Sequence, residues 1–181
     1  MLNIIMGATQ KPLACEELKK FFSEHDNLDG YLYIGYPIIA TNEGGYPIDA
    51  LWISEAHGLV IFNLIENKNI EDYQELQDDS ANKIEAKLKN YKQLVHKRTL
   101  CIEINVVTFA PFIRDKDTLT DEEYPLVNIN SLYNTLMNFT WTQNEYFSAL
   151  VSVLQAISTI RKVRKRNSLE NPNSRGSRLN A

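Results

Sequence analysis

Cysteine is scarce in this chain of 181 residues. Cys15 and Cys101 lie far apart and show no metal-ligand spacing, and the three histidines are scattered, so no zinc site is expected. So few thiols suit a reducing, cytoplasmic compartment, where both are expected to be buried and inert. Long apolar runs are missing. No stretch approaches the roughly 18 consecutive apolar residues of a membrane span, so a membrane is not an expected partner. The opening residues, MLNIIMGATQKP, have no basic lead and only a very short apolar stretch, which does not read as a signal peptide. No Gly-x-x-x-x-Gly-Lys-Ser/Thr loop occurs, which excludes ATP binding through a P-loop. Serine, histidine and acid residues show no nucleophile-elbow context. There is no internal repeat. Asn138-Phe139-Thr140 matches a glycosylation sequon, which has no meaning in a cytoplasmic chain.

What is present is an ordinary globular composition with an uneven charge. Aromatic residues make up 10% of the chain, which argues against disorder. The net charge of −4 divides into two parts. Residues 161–178 carry Arg161, Lys162, Arg164, Lys165, Arg166, Arg175 and Arg178 against Glu170 alone, a net of +6, and residues 1–160 carry −10. The acidic body offers phosphates no obvious attraction, whereas the basic end does. Cations at a helix end also complement the C-terminal dipole. The expected organisation is one domain over 1–160 and a basic tail or linker over 161–181.

Hydrophobic periodicity places the elements. Leu18, Phe21 and Phe22 predict a helix over 14–24. The runs 31–40, 47–53 and 59–65 predict three strands, with Asn42-Glu43-Gly44-Gly45 and Ser54-Glu55-Ala56-His57-Gly58 as turns; the short turns imply antiparallel neighbours. His57 reads as an exposed turn residue beside Glu55. Residues 69–97 read as charged and mostly helical, with a helix over 81–97 capped by Asp78-Asp79-Ser80. A strand over 100–110 follows, then an exposed loop over 112–127, a short helix over 129–138 and a longer one over 143–163. A helical crossover sets the third strand parallel to the fourth. The expected fold is α/β: a central mixed sheet with an antiparallel β-meander, helices on its faces and a C-terminal helix.

The segment 47–65 carries the most chemical information. Pairing Ile53 with Leu59 across the five-residue turn sets Asp49 opposite Asn63, on the face that also holds Leu51, Ile53, Leu59, Ile61 and Ile65. An acid among aliphatic neighbours needs a partner, a metal or water.

This pattern resembles the PD-(D/E)XK nuclease fold, in particular its nuclease-related (NERD) branch. There a hairpin carries Asp on one strand and Glu-x-Lys on the next, and the carboxylates hold a divalent metal that activates water for phosphodiester cleavage. Pro47-Ile48-Asp49 corresponds to the first element, and Gly58-Leu59-Val60-Ile61-Phe62-Asn63-Leu64-Ile65 to the second. The family's Glu falls on Asn63 and its Lys on Ile65, so the resemblance implies a nuclease fold that has lost catalytic residues. Asp49 would be the metal ligand, for Mg2+, if the site were active. Glu16 or Glu17 could supply a helical acid, Glu17 being preferred. Lys83 or Lys87 could replace the missing lysine, and Glu66 could return to the site through a bulge. Gln93 is similar in placement to the polar helix residues of the RecB-like branch. The bland alternative makes Asp49 a hydrogen-bonded or solvated acid at a strand end.

A narrower resemblance covers GYLYIGYPIIATNEGGYPIDALWISEAHGLVIFNLIE. It looks like the N-terminal region of bacterial superfamily 1, UvrD-like DNA helicases, in which a nuclease-related domain precedes the motor. The resemblance implies DNA as a partner, bound through Arg161, Lys162, Arg164, Lys165 and Arg166, together with a helicase motor domain or another protein subunit. Three functions stay open: an accessory domain that places DNA or docks a protein, an active metal-dependent nuclease, and an interaction module that touches no DNA.

Overall fold

Short apolar runs form the strands, and segments with an apolar stripe at helical spacing form the helices between them. In the computed structural model these become β1 (Leu2–Met6), α1 (Pro12–Ser23), β2 (Gly30–Ile34), β3 (Ile39–Thr41), β4 (Gly44–Tyr46), β5 (Ala50–Ser54), β6 (Gly58–Leu64), α2 (Tyr73–Leu88), β7 (Val95–His96), β8 (Thr99–Leu100), β9 (Ile104–Phe109), β10 (Leu126–Val127), α3 (Leu132–Met137) and a last helix, α4, over 147–157. The structure describes residues 1–35, 39–41, 44–46, 48–120 and 123–157, with only the backbone at 39–41 and 44–46. The basic segment 161–178, the end of the expected helix over 143–163, Pro47, and Asn42 and Glu43 lie outside the described residues.

Six strands form one mixed sheet in the order β1-β2-β5-β6-β9-β10. β2, β5 and β6 are antiparallel neighbours, whereas β1–β2, β6–β9 and β9–β10 run parallel. Parallel partners need crossovers. α1 makes the first, and α2 with the β7–β8 hairpin makes the second. The hairpin register pairs Ile53 with Leu59 and Ala50 with Phe62, as the turn length predicts. β5 is buried along its whole length, so side chains of both parities face a core. α1 and α3 cover one face, with Phe22, Trp52, Val60 and Phe62 in that layer. α2 and α4 cover the other, over Leu51, Ile53, Leu59 and Ile61. In this second layer burial pushes the Tyr33 phenol up to about 12, with Tyr31 adding to the shift. Among the described residues no helix is long and apolar enough to cross a membrane.

Several boundaries differ from expectation. α2 begins at Tyr73, so Asp78-Asp79-Ser80 lies inside the helix and Asp72 is the residue at its start. The buried stripe is Tyr73, Gln77, Ser80, Ile84 and Leu88. Two polar members hid its first half from a hydrophobic pattern. The helix stops at Leu88 rather than running to 97, and β7–β8 follows. The run 31–40 is broken at Gly35, which adopts φ +68°. The expected strand over 100–110 starts only at Ile104. The stretch 112–127 is not simply an exposed loop: Ile113 is buried, and Leu126–Val127 joins the sheet as a buried strand. β1 was not among the expected strands, although it coincides with the very short apolar stretch at the start of the chain. His57 is half-buried rather than exposed: its ring stacks on Trp52 at 5.5 Å and its Nδ1 lies 2.8 Å from the Phe139 carbonyl. Cys15 is buried as expected, and its burial raises the thiol pKa. Cys101 is only half-buried, because it falls in the break between β8 and β9.

Candidate functional site

The site lies where β5 begins and β6 ends. Asp49 immediately precedes β5, and its carboxylate Oδ2 accepts the Leu64 backbone N–H at 2.9 Å. The same oxygen lies 2.8 Å from Lys11 Nζ, which also donates to the Leu64 carbonyl at 2.9 Å. Lys11 comes from the segment before α1. Asn63 projects from β6 towards α2, where its Oδ1 accepts the Ser80 hydroxyl at 3.0 Å. Its Nδ2 is buried without a hydrogen-bond partner among the described residues. Lys11, Asp49, Asn63, Tyr73, Ser80 and Thr108 line a single cleft of about 280 Å³. Beneath it Gln77 Nε2 donates to Thr108 Oγ1 at 2.9 Å and to the Pro125 carbonyl at 3.0 Å, which ties α2 to β9.

The remaining candidates fall elsewhere. Glu17 lies on α1 and does not line the cleft, and Glu16 pairs with Lys19 on the surface at 3.5 Å. Neither Lys83 nor Lys87 lines the cleft, and Lys83 lies 3.9 Å from Asp79 one helical turn away. Gln93 sits in a one-turn helix after α2 and is exposed, so the buried polar residue of the helix layer is Gln77. Arg161, Lys162, Arg164, Lys165 and Arg166 lie outside the described residues.

Glu66 has a different job from the one its neighbourhood suggested. Its Oε2 accepts the Ala14 backbone N–H at 2.8 Å. α1 opens with Pro12, has no acid in its first turn and no side-chain cap of its own. A free N-terminal N–H and the positive end of the helix dipole are therefore met by a carboxylate from just beyond β6. Glu66→Ala is expected to lower stability by about 1 kcal/mol, the usual worth of a cap. A urea titration checks this: the midpoint should fall with the slope unchanged.

The donors do not fit a divalent metal. A hard cation prefers several oxygen ligands with negative charge among them. Here Asn63 is neutral, Ile65 is apolar, an ammonium group already lies against both Asp49 and the Leu64 carbonyl, and Asp79, the other acid that lines the cleft, lies 3.9 Å from Lys83. Among the described residues no group of three or more His, Cys, Asp or Glu side chains could hold a metal ion. Asp49 thus behaves as a structural acid at a strand end, pinning the β6 terminus to the segment before α1.

In comparisons with protein-family models, curated proteins and solved structures, nothing matches this chain.

Proposed function

We propose that this chain is a nuclease-like accessory domain of a cytoplasmic nucleic-acid-processing system, which places DNA or docks a protein and does not cleave. One observation carries the reading. The order α1, antiparallel β2–β5–β6, α2 and parallel β9 brings Asp49 and Asn63 to one cleft, at the positions where the nuclease pattern has its Asp and the Glu of Glu-x-Lys. With an amide in place of the pattern's second acid, an aliphatic residue in place of its base and Lys11 held against Asp49, the pattern's set for activating water is incomplete, although Asp79 also lines the cleft. The partners this reading implies are DNA and a UvrD-like helicase motor or another subunit.

The test uses the full chain with plasmid and single-stranded DNA in Mg2+ or Mn2+. No cleavage is expected, while labelled DNA is bound. Cleavage that disappears in Asp49→Ala would overturn the reading. Neutralising Arg161, Lys162, Arg164, Lys165 and Arg166 to glutamine is expected to weaken binding. If all five meet phosphates, they contribute roughly −4 to −5 to the slope of log K against log[salt]. The acidic body, net −10, favours the second reading, a protein-interaction module, and absence of DNA binding would select it.

A further inference from the structure

The negative charge of the body is not evenly spread. Residues 87–98 contain Lys87, Lys89, Lys92, Lys97 and Arg98 and no acid, whereas the rest of 1–160 has seven bases against 22 acids. The structure gathers this island at one end of the α2 layer: the last turn of α2, the one-turn helix Lys92–Leu94 and the β7–β8 hairpin. Lys89, Lys92, Lys97 and Arg98 are exposed. Lys89 and Arg98 line one groove of about 300 Å³ together with Thr99 and Glu85. Lys89 pairs with Glu85 at 3.4 Å. Lys92, Lys97 and Arg98 have no acidic partner among the described residues.

Helix-dipole complementarity accounts for Lys87 and Lys89 at the end of α2. It does not reach Lys92, Lys97 or Arg98. The hairpin tip adds a second anomaly. Lys97 and Arg98 form its two-residue turn at φ +51° and +67°, the left-handed conformation that favours asparagine and glycine. Two long cations thus occupy a turn whose backbone suits neither, and both extend into solvent from a body that is otherwise strongly acidic.

We propose that residues 87–98 form a phosphate-contacting strip on the folded body, taking the backbone of a nucleic acid through Lys92, Lys97 and Arg98. This rests on the nucleic-acid reading above and adds a second contact, separate from the basic segment 161–178. A local cation cluster on an acidic body also orients the ligand, because the surrounding surface repels the same phosphates. Base edges play no part, so the contact is independent of sequence.

The experiment compares full-length variants by anisotropy of a labelled DNA duplex across a salt series. Lys92→Gln/Lys97→Gln/Arg98→Gln should make the slope of log K against log[salt] shallower by roughly 2.7 and weaken binding about a hundredfold at 0.1 M salt. Lys97→Asn/Arg98→Gly removes two charges while giving the turn its preferred residues, so it should keep or raise the melting temperature and still lose affinity. Lys20→Gln/Arg114→Gln/Lys116→Gln changes net charge equally and should bind like the wild type. An equal loss in that control, or no loss in the strip variants, overturns the proposal. Binding lost only on neutralising 161–166 overturns it while leaving the nucleic-acid reading intact. No binding by the wild type overturns both. Equal displacement by poly-glutamate at matched charge assigns the strip to acidic protein and also overturns it.

Discussion

Trp52→Ala is expected to destabilise the domain by about 4 kcal/mol, within the usual range for truncating a large buried aromatic. Trp52 is fully buried at the middle of β5, in the layer beneath α1. Phe22 of α1 meets its ring edge-on at 5.3 Å, and His57 stacks on it at 5.5 Å. Its indole N–H donates to the Asp29 carbonyl at 2.8 Å, which holds the loop between α1 and β2. The loss would therefore combine a cavity with an unpaired carbonyl. Trp52→Phe separates the two, because it keeps most of the apolar volume and drops only the hydrogen bond and part of the stack. That variant should cost about 1–2 kcal/mol, in line with a single buried hydrogen bond. Denaturant titrations of both variants check the difference. Similar losses in the two would mean that the hydrogen bond, rather than the ring, carries the stability.

Gly30→Ala is expected to cost about 3 kcal/mol from backbone strain and overpacking together. Gly30 adopts φ +101°, outside the range that residues with a side chain tolerate well. A Cβ there would stand 2.0 Å from the Ile53 carbonyl oxygen. That oxygen cannot retreat cheaply, since Ile53 belongs to the central strand pair and is buried on both sides. Gly30 also begins β2 and pairs with Leu2 of β1, so strain at this residue falls on the first βαβ unit. Thermal unfolding should show a fall of roughly 6–12 °C for a chain of this size. An unchanged melting temperature would show that β2 can slide away from β5 without penalty.

The central hairpin was legible because its information is local. Two apolar runs and a five-residue turn fix which residues face each other, and the pairing of Ile53 with Leu59 follows from chain length alone. α1 and the body of α4 were legible for the same reason, since each shows a helical apolar stripe. α2 was misplaced because Gln77 and Ser80 occupy buried positions, where they answer Thr108, Pro125 and Asn63. A polar residue buried for a long-range partner looks, in sequence, like a solvent-facing one. The cleft was half legible. Asp49 and Asn63 follow from strand parity, but Lys11 reaches Asp49 from 38 residues away and leaves no periodic trace. Glu66 is similar, with one available signal. α1 starts at a proline with neither a capping side chain nor an acid in its first turn, and a helix so bare at its start asks for a remote carboxylate.

The burial of both faces of β5 and β6 also bears on which insertions the chain tolerates. One extra residue among Glu55, Ala56 and His57 would slide β6 by one position and exchange its two faces. Val60 and Phe62 would turn towards α2, and Leu59 and Ile61 towards α1. Apolar character would survive the exchange, so hydrophobicity alone defines this strand's phase only weakly. Asn63 breaks the tie. In the shifted phase its amide would enter the layer of Phe22 and Trp52 with no Ser80 to meet it, while Leu64 would be turned into the cleft. A single amide thus acts as the strand's alignment mark.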